Sequence, residues 1–215
     1  MKTATAYSTK KPVADAVGEV KRGCASVDPK MVVFFASTAY DPASLSKAMA
    51  DAFPKASVFG CSTAGEIVTG KMLKESVVAM AYSSEVVGDV AVGVMEGIKD
   101  DKGAEGVSKV FRDFERHYGA KMADLDFSRY VGIILVDGMS VAEERLMDKI
   151  GDLTNVLFVG GSAGDDLQFA RTYVYANGKA YTDAAILTLL KPAKGFDIVK
   201  TQSFGPLASV LLQRR

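Results

Sequence analysis

Two stretches of this sequence follow the same plan, and in each a strand runs into a segment of small residues. Residues 31–95 and 130–190 both show a buried strand, a polar turn, a helix, a strand, a glycine-rich segment and two more strands. Gly60-Cys-Ser-Thr-Ala-Gly-Glu66 aligns with Gly160-Gly-Ser-Ala-Gly-Asp165 when one residue is dropped. A strand–helix–strand unit with short connections forms a right-handed parallel crossover. The sequence therefore predicts a mixed α/β fold, built from two βαβ-plus-hairpin repeats related by a pseudo-twofold and flanked by helices.

The hydrophobic pattern places the individual elements. Short apolar runs of β-forming residues predict strands, and apolar residues at helical spacing predict helices. The predicted strands cover 3–7, 32–36, 56–59, 77–82, 86–95, 131–136, 155–159, 170–176 and 181–190. The predicted helices cover 13–22, 43–53, 105–118 and 141–150. Asp41 is a candidate N-cap, Ser140 occupies the same helix-start position in the second unit, and polar residues 83–85 and Asn177-Gly178 predict hairpin turns.

Composition excludes several classes of protein. Lys and Arg number 26 against 26 Asp and Glu, so the chain has no basic surplus for binding nucleic acid. No apolar run approaches the ~20 residues that cross a bilayer, and the N-terminus lacks the apolar stretch of a signal peptide. Two cysteines make neither a disulfide framework nor a zinc site, so we expect a cytoplasmic protein with free thiols and no metal.

The glycine-rich segments are the candidate binding site. Ligands of α/β sheets bind outside the carboxyl ends of strands, where both segments and Asp137-Gly138 are expected. Backbone N–H groups there can hold a carboxylate, and Glu66 and Asp165 can hold an amine, which suits a small zwitterion such as an amino acid. The competing interpretation is that the glycines only make tight turns. The predicted ligand-binding residues are Gly60, Cys61, Ser62, Thr63, Gly65, Glu66, Asp137, Gly138, Gly160, Gly161, Ser162, Gly164 and Asp165.

Two other functions remain open at this stage. His117 is the only histidine and could be an axial haem ligand in a gas sensor, although a cation near a helix C-terminus is the simpler interpretation. Cys61 or Ser62 could be the nucleophile of a hydrolase or transferase, with backbone N–H groups as the oxyanion hole. A reactive cysteine needs a base or a lowered pKa, so a small buried cysteine is again simpler. Neither segment has a nucleotide-binding fingerprint.

Taken together, four motifs resemble the FIST N domain. They are Gly60-Cys-Ser-Thr-Ala-Gly-Glu-Ile67, Asp137-Gly-Met-Ser140 followed by Glu143-Glu144, Gly160-Gly-Ser-Ala-Gly-Asp165, and the 174–178 segment that ends in Asn177-Gly178. The resemblance implies an intracellular sensory domain of bacterial and archaeal signalling proteins. It implies a small ligand, with amino acids proposed, and a partner such as a histidine kinase, a chemoreceptor or a cyclic-dinucleotide enzyme. Some relatives bind haem and sense nitric oxide.

The resemblance also bears on domain organisation. FIST proteins usually continue into a C-terminal FIST domain, so residues 1–200 are expected to form the sensory domain and 201–215 to begin the connection to a missing second domain. We expect a sensor without catalytic activity and without a resident cofactor, and we expect no nucleic-acid or membrane partner. Apolar surface left by the missing domain would also permit a homodimer.

Overall fold

The computed structural model describes residues 1–100 and 102–201, so the tail expected over 201–215 lies outside the described residues except for its first residue. The strands are β1 (Thr3–Ser8), β2 (Pro29–Ser37), β3 (Ser57–Thr63), β4 (Glu66–Val68), β5 (Lys71–Leu73), β6 (Val77–Ser83), β7 (Val87–Glu96), β8 (Val131–Val136), β9 (Phe158–Ser162), β10 (Val174–Ala176), β11 (Lys179–Tyr181) and β12 (Ala184–Pro192). The helices are α1 (Val13–Gly23), α2 (Pro42–Ala52), α3 (Lys102–Tyr118) and α4 (Glu143–Leu153), with a short 3-10 helix at Met122–Asp124. Within the described residues, no helix combines the length and the hydropathy that a membrane span requires.

Two mixed sheets form the centre of the molecule. The first has the strand order β1-β6-β2-β3-β10-β11, the second has the order β7-β12-β8-β9, and β4 and β5 form a separate hairpin. Each sheet contains one parallel pair, β2–β3 or β8–β9. Antiparallel strands flank β2–β3 on both sides, whereas they adjoin β8–β9 on the β8 side only. The predicted mixed α/β class is confirmed. The pseudo-twofold between the two halves stays a prediction.

The sheets pack face to face, and each carries two helices on its outer face. Along β2, Phe34 belongs to the cluster under α1 and α2, whereas Met31 belongs to the cluster between the sheets. Along β8, Ile134 packs under α3 and α4 and Leu135 packs between the sheets. Because both faces of these strands are covered, their sequences are apolar almost throughout.

The starts of α2 and α4 differ. Asp41 is the N-cap of α2 as predicted, because its carboxylate accepts the Ser44 N–H at 2.9 Å. The equivalent prediction for Ser140 is wrong. Val141 has φ 53°, in the left-handed region, so α4 begins later, and the Ser140 hydroxyl donates to the Asp137 carbonyl instead.

Of the two predicted hairpins, the one about Asn177-Gly178 is present, but its second strand is β11, and most of the predicted partner strand, residues 181–190, belongs to β12 of the second sheet. The turn at Asn177-Gly178 joins β10 and β11, and its two residues have φ 54° and 74°, as a two-residue hairpin turn requires. The hairpin predicted across residues 83–85 is wrong, because β6 lies in the first sheet and β7 in the second. A short polar link between two apolar strands fits a hairpin and a crossing between sheets equally well.

Candidate functional site

The first glycine of each segment lies inside a strand, not in the loop that the sequence predicted. Gly60 is paired with Phe34 across β3 and β2, and a Cβ atom on it would lie 1.9 Å from the Phe34 carbonyl oxygen. Gly160 is paired with Ile134 across β9 and β8, and its Cβ would lie 1.7 Å from the Ile134 oxygen. Glycine is therefore needed at both positions for close approach of two backbones, which is a packing role.

The carboxyl ends of the two segments meet. The Ser62 hydroxyl donates to the Gly164 carbonyl at 2.6 Å, and the Gly164 N–H donates back to the Ser62 carbonyl at 2.9 Å. The same hydroxyl accepts the Tyr173 N–H at 2.9 Å. Ser62 is fully buried, so its hydroxyl is a structural bridge between three chain segments and has no access to a ligand.

Two of the predicted carboxylates are also used internally. Glu66 is buried and accepts the Thr63 hydroxyl at 2.6 Å and the hydroxyl and N–H of Ser76. Asp137 is buried and accepts the Met139 N–H at 3.1 Å, the Thr172 hydroxyl and the Asp183 N–H. Buried carboxylates need such donors to offset their loss of water. These two acids therefore fix the loops rather than bind a ligand.

Asp165 organises the backbone that follows it. Its two oxygens accept four successive N–H groups at 2.7–3.3 Å, those of Gln168, Phe169, Ala170 and Arg171. The Ala170 N–H, with help from the other three, holds the pKa of the Asp165 carboxyl below its usual range. The carboxylate thus stays ionised near neutral pH and holds residues 168–171 in a tight loop.

Three of the remaining predicted glycines lie where these segments close on one another. A Cβ on Gly138 would lie 2.2 Å from the Ala163 carbonyl oxygen. A Cβ on Gly164 would lie 3.3 Å from the Ala64 nitrogen, and one on Gly65 would lie 3.3 Å from the Leu73 carbonyl oxygen. Larger residues would push the segments apart, so these glycines bring the loops together.

The loops enclose a cavity of about 570 Å³ at the carboxyl ends of β2 and β3. Its lining residues are Thr38, Ala39, Ala64, Lys74, Glu75, Asp165, Asp166, Leu167, Gln168, Ala170, Arg171 and Tyr173. Of the thirteen predicted site residues, only Asp165 is among them. The strand-end rule predicts a site at this end of the sheet, where the cavity lies, and most of the predicted residues lie behind its lining rather than in it.

The cavity carries charges of both signs. Asp166 is half-buried, and one of its carboxylate oxygens accepts the Ser37 hydroxyl at 2.8 Å and the Thr38 hydroxyl at 3.1 Å. Lys74 and Arg171 are exposed cations with no side-chain hydrogen bond or ion pair to any described residue. An anionic group of a small molecule would find two cations here, and a cationic group would find the Asp166 carboxylate.

Strained backbone lies at the cavity mouth. Glu75, Leu167 and Phe169 have φ values of 50°, 63° and 51°, in the left-handed region that residues other than glycine seldom adopt. The side chains of Leu167 and Phe169 are exposed. Strain of this kind is concentrated at ligand-binding and switching segments.

The structure separates another group of predicted residues from this cavity. Gly160, Gly161 and Ser162 lie on the outer strand of the second sheet, and the Ser162 hydroxyl donates to Glu143 at 2.5 Å. Gly160 and Gly161 border a different groove of about 280 Å³ beside α4. The two glycine-rich segments therefore meet at their carboxyl ends only.

Neither alternative centre lies in the cavity. Cys61 is buried between the sheets, and this burial raises the pKa of its thiol to about 12, which opposes formation of the nucleophilic thiolate. His117 lies on α3, with its Nε2 atom 2.9 Å from an Asp89 carboxylate oxygen and its ring against Tyr118. Neither position favours catalysis or haem ligation by these residues.

Apart from Asp165, sequence reasoning missed the charged residues that line the cavity. Asp166 adjoins the quoted motif, and the polar Ser37-Thr38 pair directly follows a buried strand, so the strand-end rule could have selected both. Lys74 and Arg171 lie in irregular segments and carry no pattern. Their positions depend on the hydrogen bonds of Glu66 and Asp165 to the neighbouring backbone.

The comparisons with known proteins identify the family. The chain matches the FIST N domain over residues 30–211, most of its length, and it belongs to that family of signal-transduction sensory domains. No curated protein matches the chain. Among solved structures, a cyanuric acid hydrolase from A. caulinodans has a TM-score of 0.42 and 10% identity, over 88% of this chain and 71% of that chain. A likeness this distant carries no argument about function.

Proposed function

We propose that the cavity at the ends of β2 and β3 binds a small zwitterionic metabolite, with an amino acid as the leading candidate. The observation that carries the proposal is the charge arrangement of the lining: Lys74 and Arg171, which have no ion pair with a described residue, share one cavity with the Asp166 carboxylate. A volume of about 570 Å³ is in the range of small-molecule sites. The protein would then be the ligand-binding module of a cytoplasmic sensor.

Each charged group has a distinct role in this proposal. The Arg171 guanidinium offers a planar pair of N–H donors that suits a carboxylate, with Lys74 as a second positive charge. Asp166 accepts the ammonium group, because the Ser37 and Thr38 hydroxyls leave its other oxygen without a described donor. The Asp165 carboxylate holds the backbone at Arg171 in place, because it accepts the Arg171 N–H.

The loop over residues 165–171 is the element that would report binding. It contributes Asp166 and Arg171 to the cavity, and it contains the strained residues Leu167 and Phe169. A ligand that bridges the two charged side chains favours one conformation of this loop over others. A partner such as a histidine kinase, a chemoreceptor or a cyclic-dinucleotide enzyme would bind the exposed side of the loop and respond to its conformation.

A thermal-shift screen over amino acids and related small metabolites tests the proposal. A ligand at 100 times its dissociation constant adds about 2.7 kcal/mol to the free energy of unfolding, which raises Tm clearly. The best amino acid is then compared with its decarboxylated amine and its N-acetyl derivative. Loss of the shift with both derivatives is expected, since each lacks one of the two charges.

Variants assign the response to this cavity. Arg171→Ala and Asp166→Asn are expected to remove most of the shift, while Arg129→Ala, which changes an exposed arginine outside the cavity lining, leaves it intact. A well-folded protein that responds to no zwitterion overturns the proposal. A shift that persists unchanged in Arg171→Ala and Asp166→Asn also overturns it, because the ligand then binds elsewhere.

A further inference from the structure

The outer strand of the second sheet has an open edge. Gly132 donates its N–H to the Leu157 carbonyl, and Ala163 donates to the Val136 carbonyl, so alternate residues of this segment bond to β8. Residues between them, such as Gly160, direct their N–H and C=O groups away from β8. Within residues 1–100 and 102–201, no strand pairs with this side of β9. An unpaired edge of this kind is a template for another strand.

The matching edge of the first sheet is covered. β10 pairs antiparallel with β3, with Tyr175 opposite Gly60. The Tyr175 side chain is fully buried and stacks on Phe34, with 5.2 Å between ring centroids. The hairpin is also bound to α2, because the Ser46 hydroxyl donates to the Lys179 carbonyl at 2.8 Å. A short hairpin with one large side chain therefore closes this edge.

Under the predicted pseudo-twofold, the groove beside β9 corresponds to the position of Tyr175 in the first sheet. It has a volume of about 280 Å³ and is bordered by Ile134, Val136, Glu143, Met147, Phe158, Gly160 and Gly161. Ile134 is paired with Gly160 as Phe34 is paired with Gly60. Met147 and Ser46 occupy matching positions, each directly after a buried leucine of its helix. Ser46 is covered, whereas Met147 is 40% exposed. The groove therefore leaves Met147 accessible to an apolar side chain of a partner.

The chain carries a second short hairpin of the same length, although its turn differs, since only Gly70 and not Thr69 has a positive φ. β4 and β5 are three residues each around a two-residue turn, as are β10 and β11, and Gly70 and Gly178 have φ 76° and 74°. Its central pair is Ile67 with Met72, where the other hairpin has Tyr175 with Ala180. Ile67 is 74% exposed and Met72 is 86% exposed, so this hairpin presents apolar side chains to solvent.

Charge favours contact between this hairpin and the groove. Lys71 of the hairpin and Lys74, which directly follows it, are exposed and positive, and Lys71 contacts the Tyr7 side chain. Glu143 borders the groove, and Asp148 is exposed on the same helix, next to Met147. The two surfaces therefore have opposite charges around apolar centres.

We propose that the β4–β5 hairpin of one copy of this chain adds to the β9 edge of a second copy. Ile67 lies opposite Gly160 in the groove, and the main chain of β4 extends the second sheet antiparallel to β9. A second copy is the expected occupant because one chain carries both the hairpin and the edge. This contact goes beyond ligand binding and does not depend on it.

Sedimentation of the full chain tests the contact. The wild type is expected to form a dimer or larger oligomer at protein concentrations up to about 0.1 mM. Ile67→Lys with Met72→Lys, and separately Met147→Lys, are expected to raise the dissociation constant by about thirtyfold, as loss of an anchor residue does. Phe127→Lys is the matched control, since Phe127 is an exposed apolar residue outside both surfaces, and it leaves the dissociation constant unchanged.

A mixing experiment identifies which surfaces meet. The hairpin variant keeps an intact edge and the Met147→Lys variant keeps an intact hairpin, so an equimolar mixture is expected to form heterodimers through the one remaining contact. Lys71→Glu and Asp148→Lys are each expected to weaken association. A mixture of the two single variants is expected to associate again, because the charges at the contact are then opposite. A monomeric wild type across this concentration range overturns the proposal. Variants that fold and still associate like wild type also overturn it.

Discussion

The segments over residues 60–66 and 160–165 have similar sequences but different surroundings. Cys61 and Ser62 are buried, because β10 covers one side of β3 and the second sheet covers its face. Gly161 and Ser162 are exposed, because β9 has no neighbour on its outer side among the described residues. The comparison shows that burial here depends on which distant strand covers the segment rather than on the segment itself.

The largest expected difference between the two segments is thiol reactivity. With a pKa of about 12, native Cys61 should react with iodoacetamide at pH 8 about a thousandfold more slowly than an exposed thiol. Gly161→Cys places a thiol at the exposed equivalent position and should react at the normal rate. Peptide mass spectrometry locates the label, and the Ile67→Lys/Met72→Lys background keeps the β9 edge free. Rapid labelling of Cys61 in folded protein would contradict the buried position.

The strand glycines should differ in how well alanine is tolerated. Gly60→Ala places a Cβ against the Phe34 carbonyl in a covered strand, and we expect it to lower the free energy of unfolding by about 3 kcal/mol. Gly160→Ala meets a similar clash, but an edge strand can shift, so we expect about half that loss. Gly161→Ala is the control, since its Cβ meets nothing within 4 Å. Urea denaturation measures all three, and equal losses for Gly60 and Gly160 would contradict this account.

The two equivalent serines provide a smaller contrast. Ser62→Ala leaves the Gly164 carbonyl and the Tyr173 N–H without their shared hydroxyl, which should lower the free energy of unfolding by about 2 kcal/mol. Ser162→Ala removes only an exposed bond to Glu143 and should change it by less than about 0.5 kcal/mol. Similar losses in the two variants would show that the bridge at Ser62 is not buried.

Much of the fold follows from the sequence, for identifiable reasons. β2 and β8 are covered on both faces, so their continuous apolar runs are unambiguous, and Asp41 with Pro42 defines the start of α2. β4 and β5 are only three residues each, too short for a periodic signal. The sheet to which β7 belongs is set by pairing with β12, which no local pattern encodes.

The candidate site was less predictable than the fold. The rule that ligands bind at strand ends points to the cavity, because the carboxyl ends of β2 and β3 border it. Glu66, Asp137 and Asp165 all accept hydrogen bonds from donors that the sequence does not reveal, and of the three only Asp165 lines the cavity. Because these acids already accept hydrogen bonds, the charges that remain for a ligand are those of Lys74, Asp166 and Arg171. The predicted set of site residues includes none of the three.

The smallest expected effect is the pH dependence at Asp165. Because its pKa is lowered in the folded protein, the carboxylate stabilises the fold above its unfolded pKa of about 3.9, and this stabilisation is lost as pH falls through the lower folded value. Asp165→Asn should therefore lower Tm at pH 7, and its difference from wild type should shrink below about pH 4. Asp152→Asn, which changes an exposed residue of α4 with no described side-chain hydrogen bond, is the control. A difference that stays constant down to the acid limit would contradict the four-donor arrangement.

The pairing of β3 with β10 also has a consequence for synthesis of the protein. The Ser62 hydroxyl and the Tyr173 N–H that bond across this boundary are 111 residues apart in the chain. During translation, the N-terminal sheet therefore leaves the ribosome with its β3 edge uncovered until the β10–β11 hairpin has been made. Long-range pairing of this kind folds slowly and leaves strand edges exposed meanwhile. Nascent chains that stop before the hairpin should therefore depend on chaperones to remain free of aggregation.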